Sequence, residues 1–111
     1  MKTIIAGGRD FDDIALMGTS VEWDKVTEVV CGEARGADKW GRTHAEMRGI
    51  PVASFPADWD KHGKKAGPIR NMEMGDYADC LIAFWDGKSK GTKHMIDYMN
   101  KLGKPVKVVQ Y

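Results

Sequence analysis

The residues of this chain best suited to chemistry gather at three glycine-bearing turns. Gly7-Gly8-Arg9-Asp10 ends one apolar run, Gly32-Glu33-Ala34-Arg35-Gly36-Ala37-Asp38 ends a second, and Ser89-Lys90-Gly91-Thr92 follows a third. Glycine has no Cβ, so the backbone at such turns can bend sharply and approach a ligand closely. Amides at a helix start carry a partial positive charge, and an arginine guanidinium can meet two phosphate oxygens at once. Together these residue types point to an anionic guest held through phosphate. Each turn also has a plain reading: a Gly-Gly pair makes an ordinary bend, and Ser89 is a common kind of helix cap. The recurrence of the pattern at several strand ends favours binding.

The second turn is neither the GxGxxG fingerprint of dinucleotide-binding folds nor a GxxxxGK[ST] phosphate loop, and neither motif occurs elsewhere. Asp38 reads as a cap for the helix it opens, with a ribose hydroxyl as its alternative partner. Arg70 and Asn71 lie on a later helical segment from which they reach the same region; taken alone they are a solvated pair. Ala37 lies within the second turn, and Trp85 precedes the third. The candidate ligand-binding set is therefore Gly7, Gly8, Arg9, Gly32, Arg35, Gly36, Ala37, Asp38, Arg70, Asn71, Trp85, Ser89, Gly91 and Thr92. His44 and His94 read as packing or surface residues, and Cys31 and Cys80 as buried strand thiols. No metal site is expected, because the cysteines lack CxxC spacing and the histidines are scattered singly. Trp59, between Asp58 and Asp60, either stacks on a base or covers the core, while Lys61, Lys64 and Lys65 read as a solvated turn.

The elements that must position these residues follow from the apolar pattern. Residues 3–6, 26–31, 51–55, 80–85 and 105–109 are mostly apolar on consecutive positions, as strands buried on both faces are. Thr92, Met95, Ile96, Met99 and Leu102 form a helical stripe that ends at Gly103 with Pro105 beyond. Ala37, Trp40, Gly41, His44 and Ala45 form a second, ending at Gly49. Phe11, Ile14 and Ala15 start a shorter helix with Asp10 as its expected N-cap, and a fourth begins near Pro68 and runs through Ile69, Met72 and Tyr77. Residues 56–67, rich in charge and glycine, read as an irregular binding loop or lid. This alternation predicts an α/β protein: a single Rossmann-like three-layer domain over residues 1–111, with a mainly parallel sheet of about five strands. In such a sheet the strand-to-helix turns emerge at one edge, and ligands bind there where the strand order reverses.

Composition narrows the function classes. With 42% hydrophobic and 30% charged residues, a disordered tail, a fibre and a membrane protein are all disfavoured. The formal charge of +1 supplies no field of the kind that holds duplex nucleic acid by counterion release. No apolar run exceeds strand length, so no membrane partner is expected and a cytoplasmic location follows. Glycine is the outlier, 13 residues of 111, about 12% where roughly 7% is usual.

With these stretches assembled, the chain resembles the SLOG superfamily, and within it the YspA-like group related to the DNA-processing SMF/DprA proteins and the LOG phosphoribohydrolases. The resemblance spans nearly the whole chain, and the stretches that carry it are IIAGGRDF at 4–11, GEARGAD at 32–38, PADWDKHGKKAGPIRNMEM at 56–74 and DCLIAFWDGKSKGT at 79–92. The resemblance implies a Rossmann-like fold and a nucleotide or nucleotide-derived ligand in a bacterial or phage protein. Gly7-Gly8, residues 35–38, Arg70-Asn71 and residues 89–92 carry over as the binding surface. One position departs from the LOG pattern. Those enzymes place a glutamate three residues after the threonine of the glycine-threonine turn, and here that residue is Met95. A thioether neither activates water nor stabilises the charge that develops on a sugar as an N-glycosidic bond breaks. Glu33, Asp10 or Asp86 would have to substitute from neighbouring loops.

The leading expectation is a non-catalytic module that senses or sequesters a nucleotide-derived small molecule and carries no cofactor. The first alternative is a hydrolase of nucleoside monophosphates, with Arg70 holding phosphate. The second is single-stranded nucleic-acid binding, which the tryptophans favour and the charge balance opposes. The chain alone leaves open whether a homo-oligomer closes the pocket.

Overall fold

Ile4 and Ile5 are adjacent in sequence and both fully buried, which a strand achieves only when layers cover both faces of its sheet. The computed structural model describes residues 1–32 and 35–111 and bears this out. Its strands are β1 (Lys2–Gly7), β2 (Glu28–Cys31), β3 (Val52–Ser54), β4 (Cys80–Trp85) and β5 (Val106–Gln110). They are interleaved with α1 (Ile14–Ser20), α2 (Ala37–Met47), α3 (Trp59–His62), α4 (Ala66–Tyr77) and α5 (Lys90–Lys101). The five strands form one parallel sheet in the order β3-β2-β1-β4-β5. β1 is central, with Thr3 opposite Val29 of β2 on one side and Cys80 of β4 on the other.

Parallel neighbours require crossover connections, and here the crossovers change face partway through the chain. On one face Ile5, Val29 and Phe84 pack with Met17 of α1 and with Ala37 and Ala45 of α2. On the other, Ile4, Val30 and Leu81 pack with Met74 of α4 and with Met95, Ile96 and Met99 of α5. Each fully buried methionine contributes about 1.5–3 kcal/mol relative to an exposed one. The sheet is thus the middle layer of three, and its strand order reverses between β1 and β4.

Several boundaries differ from the sequence expectation for local reasons. β2 begins at Glu28, not Val26, because Trp23–Lys25 forms a 3-10 turn closed by the Val26 amide on the Trp23 carbonyl; Val26 is apolar because it packs in the core beside the strand. β3 is one residue shorter at each end than expected and β5 is shifted by one, although the Pro51 and Pro105 carbonyls still accept from Val29 and Leu81. The cap of α1 is Asp13, whose carboxylate accepts from the Leu16 amide at 3.0 Å, and not Asp10. Residues 56–67 are not wholly irregular: they contain α3, a 3-10 turn at Gly63–Lys65 and the start of α4. Pro68 lies in the first turn of α4, two residues after its start. Ser89 does cap α5, accepting from the Thr92 amide at 3.4 Å, and the chain leaves that helix through Gly103 at φ 73°.

Candidate functional site

The carboxyl ends of β1 and β4 open into a cleft of about 450 Å³. The Gly7-Gly8-Arg9-Asp10 turn forms one wall, Asp86, Ser89, Gly91 and Thr92 a second, and Arg70, Asn71 and Met74 of α4 a third. Of the residues expected from sequence, Gly7, Gly8, Arg9, Asp38, Arg70, Asn71, Ser89, Gly91 and Thr92 come together here. Gly32 and Arg35 line an adjoining groove instead, which Arg9 and Arg70 also border. Gly36 and Ala37 are buried at the start of α2, and Gly36 takes φ 75° with its α-carbon against the Gly8 and Arg9 backbone. Trp85 is half-buried against the α4–α5 core, and its indole N–H donates to the Ser89 carbonyl at 3.1 Å, so it braces the third turn rather than lining the cleft. Glu33 and Ala34 lie outside the described residues.

Many amides at this edge are satisfied within the protein. Gly8 donates to the Phe84 carbonyl at 3.2 Å and Ala37 to the Gly8 carbonyl at 3.3 Å. Lys88 and Ser89 both donate to one Asp86 oxygen, at 2.8 and 2.9 Å. These two amides hold the Asp86 carboxyl below its ordinary range, against a smaller opposing effect of desolvation. The amides of Lys90 and Gly91, in the first turn of α5, find no acceptor among the described residues. They are the donors a helix start leaves for a ligand or water.

Glycines on the cleft wall divide by the reason for their presence. A Cβ on Gly7 would lie 2.3 Å from the Phe84 carbonyl oxygen and 2.8 Å from the Ala37 side chain, so packing alone forbids one. A Cβ on Gly91 would meet nothing within 4 Å. No internal contact accounts for glycine there, at a helix position where alanine is the better former.

The cleft carboxylates have structural partners. Asp38 is only 6% exposed and accepts from the Gly32 amide at 3.1 Å, so it ties the end of β2 to α2; the N-cap position is Gly36, which offers no side-chain bond, and not Asp38. Asp10 accepts from the Tyr111 hydroxyl at 2.8 Å. Burial first, and then this bond, push that hydroxyl well above the usual tyrosine range. Tyr111 also reaches Gly8, and sequence reasoning missed it because an aromatic after the last strand carries no motif. Met95 is 1% exposed and lines the cleft beside Met74 and Ala6, so an apolar surface stands where a LOG-type enzyme has its glutamate. Among the described residues no group of three His, Cys, Asp or Glu side chains is placed to hold a metal ion. No helix among them is long and apolar enough to cross a membrane.

A parallel sheet of this order, with helices on both faces and a cleft where the strand order reverses, defines a Rossmann-like α/β protein. Residues 1–62 match the sequence profile of the family described as "YAcAr: YspA, cpYpsA-related SLOG family". The chain is also 35% identical over 122 residues to the Gene 61 protein of Mycobacterium phage D29, an alignment covering 95% of this chain and 93% of that protein. It belongs to the YspA, cpYpsA-related SLOG family. Among solved structures it is similar to DNA processing protein A (DprA) of Streptococcus pneumoniae, with a TM-score of 0.81 at 16% identity. That match covers 96% of this chain and 49% of DprA, so the chain spans about half the length of that protein and shares its fold.

Proposed function

We propose that the cleft binds a nucleotide or nucleotide-derived small molecule, with phosphate seated at the first turn of α5 and facing Arg9. The observation that carries this reading is the pairing of two free amides, Lys90 and Gly91, with an open approach at Gly91, at the strand-order reversal. The arrangement supports binding ahead of catalysis, since Asp10, Asp38 and Asp86 each accept hydrogen bonds that brace the edge and Met95 offers no carboxylate. A thermal-shift screen of nucleotides tests it. At a hundredfold excess over Kd a ligand adds about 2.7 kcal/mol, several degrees for a chain of this size. Gly91→Val and Arg9→Ala are expected to remove that shift while leaving the unliganded Tm nearly unchanged. An undiminished shift in both variants would refute this pocket.

One observation supports hydrolysis as the second reading: Asp86 stays ionised at the cleft wall, where it suits stabilisation of a cationic sugar better than proton donation. Release of free base from a nucleoside monophosphate, lost in Asp86→Asn, would establish it.

A further inference from the structure

We infer that the cleft continues past Arg9 and Arg70 into a second subsite built on Trp59 and Arg35, and that the ligand is two-ended: two nucleosides joined by an anionic phosphate bridge. The inference rests on the nucleotide reading of the main cleft and extends it across the sheet edge.

The adjoining groove has a volume of about 320 Å³ and is lined by Arg9, Arg35, Arg70, Pro56 and Trp59 among others. Arg9 and Arg70 belong to both spaces, so positive charge is concentrated at their junction. Each space is within the range of a small-molecule pocket, roughly 300 Å³ upward, so a mononucleotide that fills one leaves the other empty. Among the described residues lining the groove there are three guanidinium groups and no carboxylate, in contrast to the main cleft with its three aspartates. Arg70 uses Nε and Nη1 to hold Asn71 and the Gly32 carbonyl. A guanidinium has five N–H donors, so further donors stay available for a bridging phosphate.

At the far side stands Trp59, 54% exposed. An indole left this open to water is a poor core residue and a good stacking platform. Its position is defined: it opens α3, whose cap Asp58 accepts from the Lys61 amide at 3.1 Å, and its ring edge lies by Gly67 in the first turn of α4. Charge at the middle and an aromatic plane at one end match a bridge and a base. A nucleic-acid strand needs a longer basic track than this chain provides, with its net charge of +1.

Calorimetric titration with 5′-AMP and 5′-GMP, and with their pyrophosphate-bridged dinucleoside forms, tests the inference. At least one bridged probe is expected to bind roughly tenfold or more tighter than its mononucleotide, the increment of one stacked base. Trp59→Ala and Arg35→Ala should remove that increment without changing mononucleotide affinity, Trp59→Phe should retain most of it, and Gly91→Val should weaken both probe types. If mononucleotides bind and bridged probes bind no tighter, or if Trp59→Ala weakens both equally, the second subsite is refuted while the main cleft stands. If neither probe type binds, the nucleotide reading fails and this inference with it. If a short oligothymidylate binds tighter than every bridged probe, with a steep salt dependence, the two-ended small ligand is refuted in favour of a strand.

Discussion

Arg70 reaches from α4 to the end of β2 and donates to the Gly32 carbonyl at 2.6 Å, occupying the space that a Cβ on Gly32 would need. Its Nε also donates to Asn71, whose amide nitrogen in turn donates to the Gly91 carbonyl at 3.2 Å. One continuous chain of bonds therefore runs from β2 through α4 to the first turn of α5. It holds together the two sides of the edge at which the cleft opens.

Removing the head of that chain has a measurable cost. Arg70→Ala leaves the Gly32 carbonyl and the Asn71 side-chain oxygen without this donor, so a loss of about 1.5–3 kcal/mol is expected. Urea denaturation measures it, and a change under 0.5 kcal/mol would show that the bonds contribute little. Arg70→Lys should recover only part of the loss, because an ammonium cannot bridge Gly32 and Asn71 as a planar fork does.

Two glycines on the cleft wall should respond oppositely to alanine. Gly7→Ala forces a methyl against a backbone carbonyl and the Ala37 side chain, and a destabilisation of about 1–3 kcal/mol is expected. Gly91→Ala meets no atom and adds helix propensity, so stability should hold or rise by up to about 1 kcal/mol while ligand affinity falls. Melting curves with and without nucleotide separate the two effects. Equal destabilisation at both sites would contradict the packing described.

The Asp86 turn should make one contribution to stability pH-dependent. Its carboxyl titrates below the ordinary value of 3.8 in the folded chain, held there by the Ser89 and Lys88 amides. A depressed folded value means that the contribution is present above the unfolded value and is lost as pH falls through the folded one. Asp86→Ala is expected to melt below wild type near neutral pH, with the gap closing below about pH 4. A gap that persists unchanged into acid would show that the carboxylate's charge is irrelevant to the turn.

Placing a glutamate at the buried lining position inverts that sign. Met95→Glu puts a carboxylate among Ala6, Met74 and neighbouring apolar atoms, so its folded pKa should rise above the ordinary value near 4.3. The destabilisation, about 2–5 kcal/mol at pH 7, should then shrink as pH drops towards the unfolded value. Denaturation midpoints across pH 4–8 follow it, and a pH-independent loss would point to steric disruption instead.

Consecutive apolar runs, glycine-ended strands and the stripe from Thr92 to Met99 determined the three-layer parallel architecture, because burial on both faces and helical periodicity are written locally. The rim glycines and Ser89 were legible for the same reason. Tertiary structure decided the partners. Asp10 faces Tyr111, a residue 101 positions away, and Asp38 bonds Gly32 instead of capping its own helix. Arg35 and Trp59 fall in a groove beside the main cleft, and Trp85 braces a turn from outside it. Charges and hydroxyls choose among several chemically equivalent acceptors, and only the crossing of distant elements at one sheet edge sets which acceptor lies within 3 Å or so.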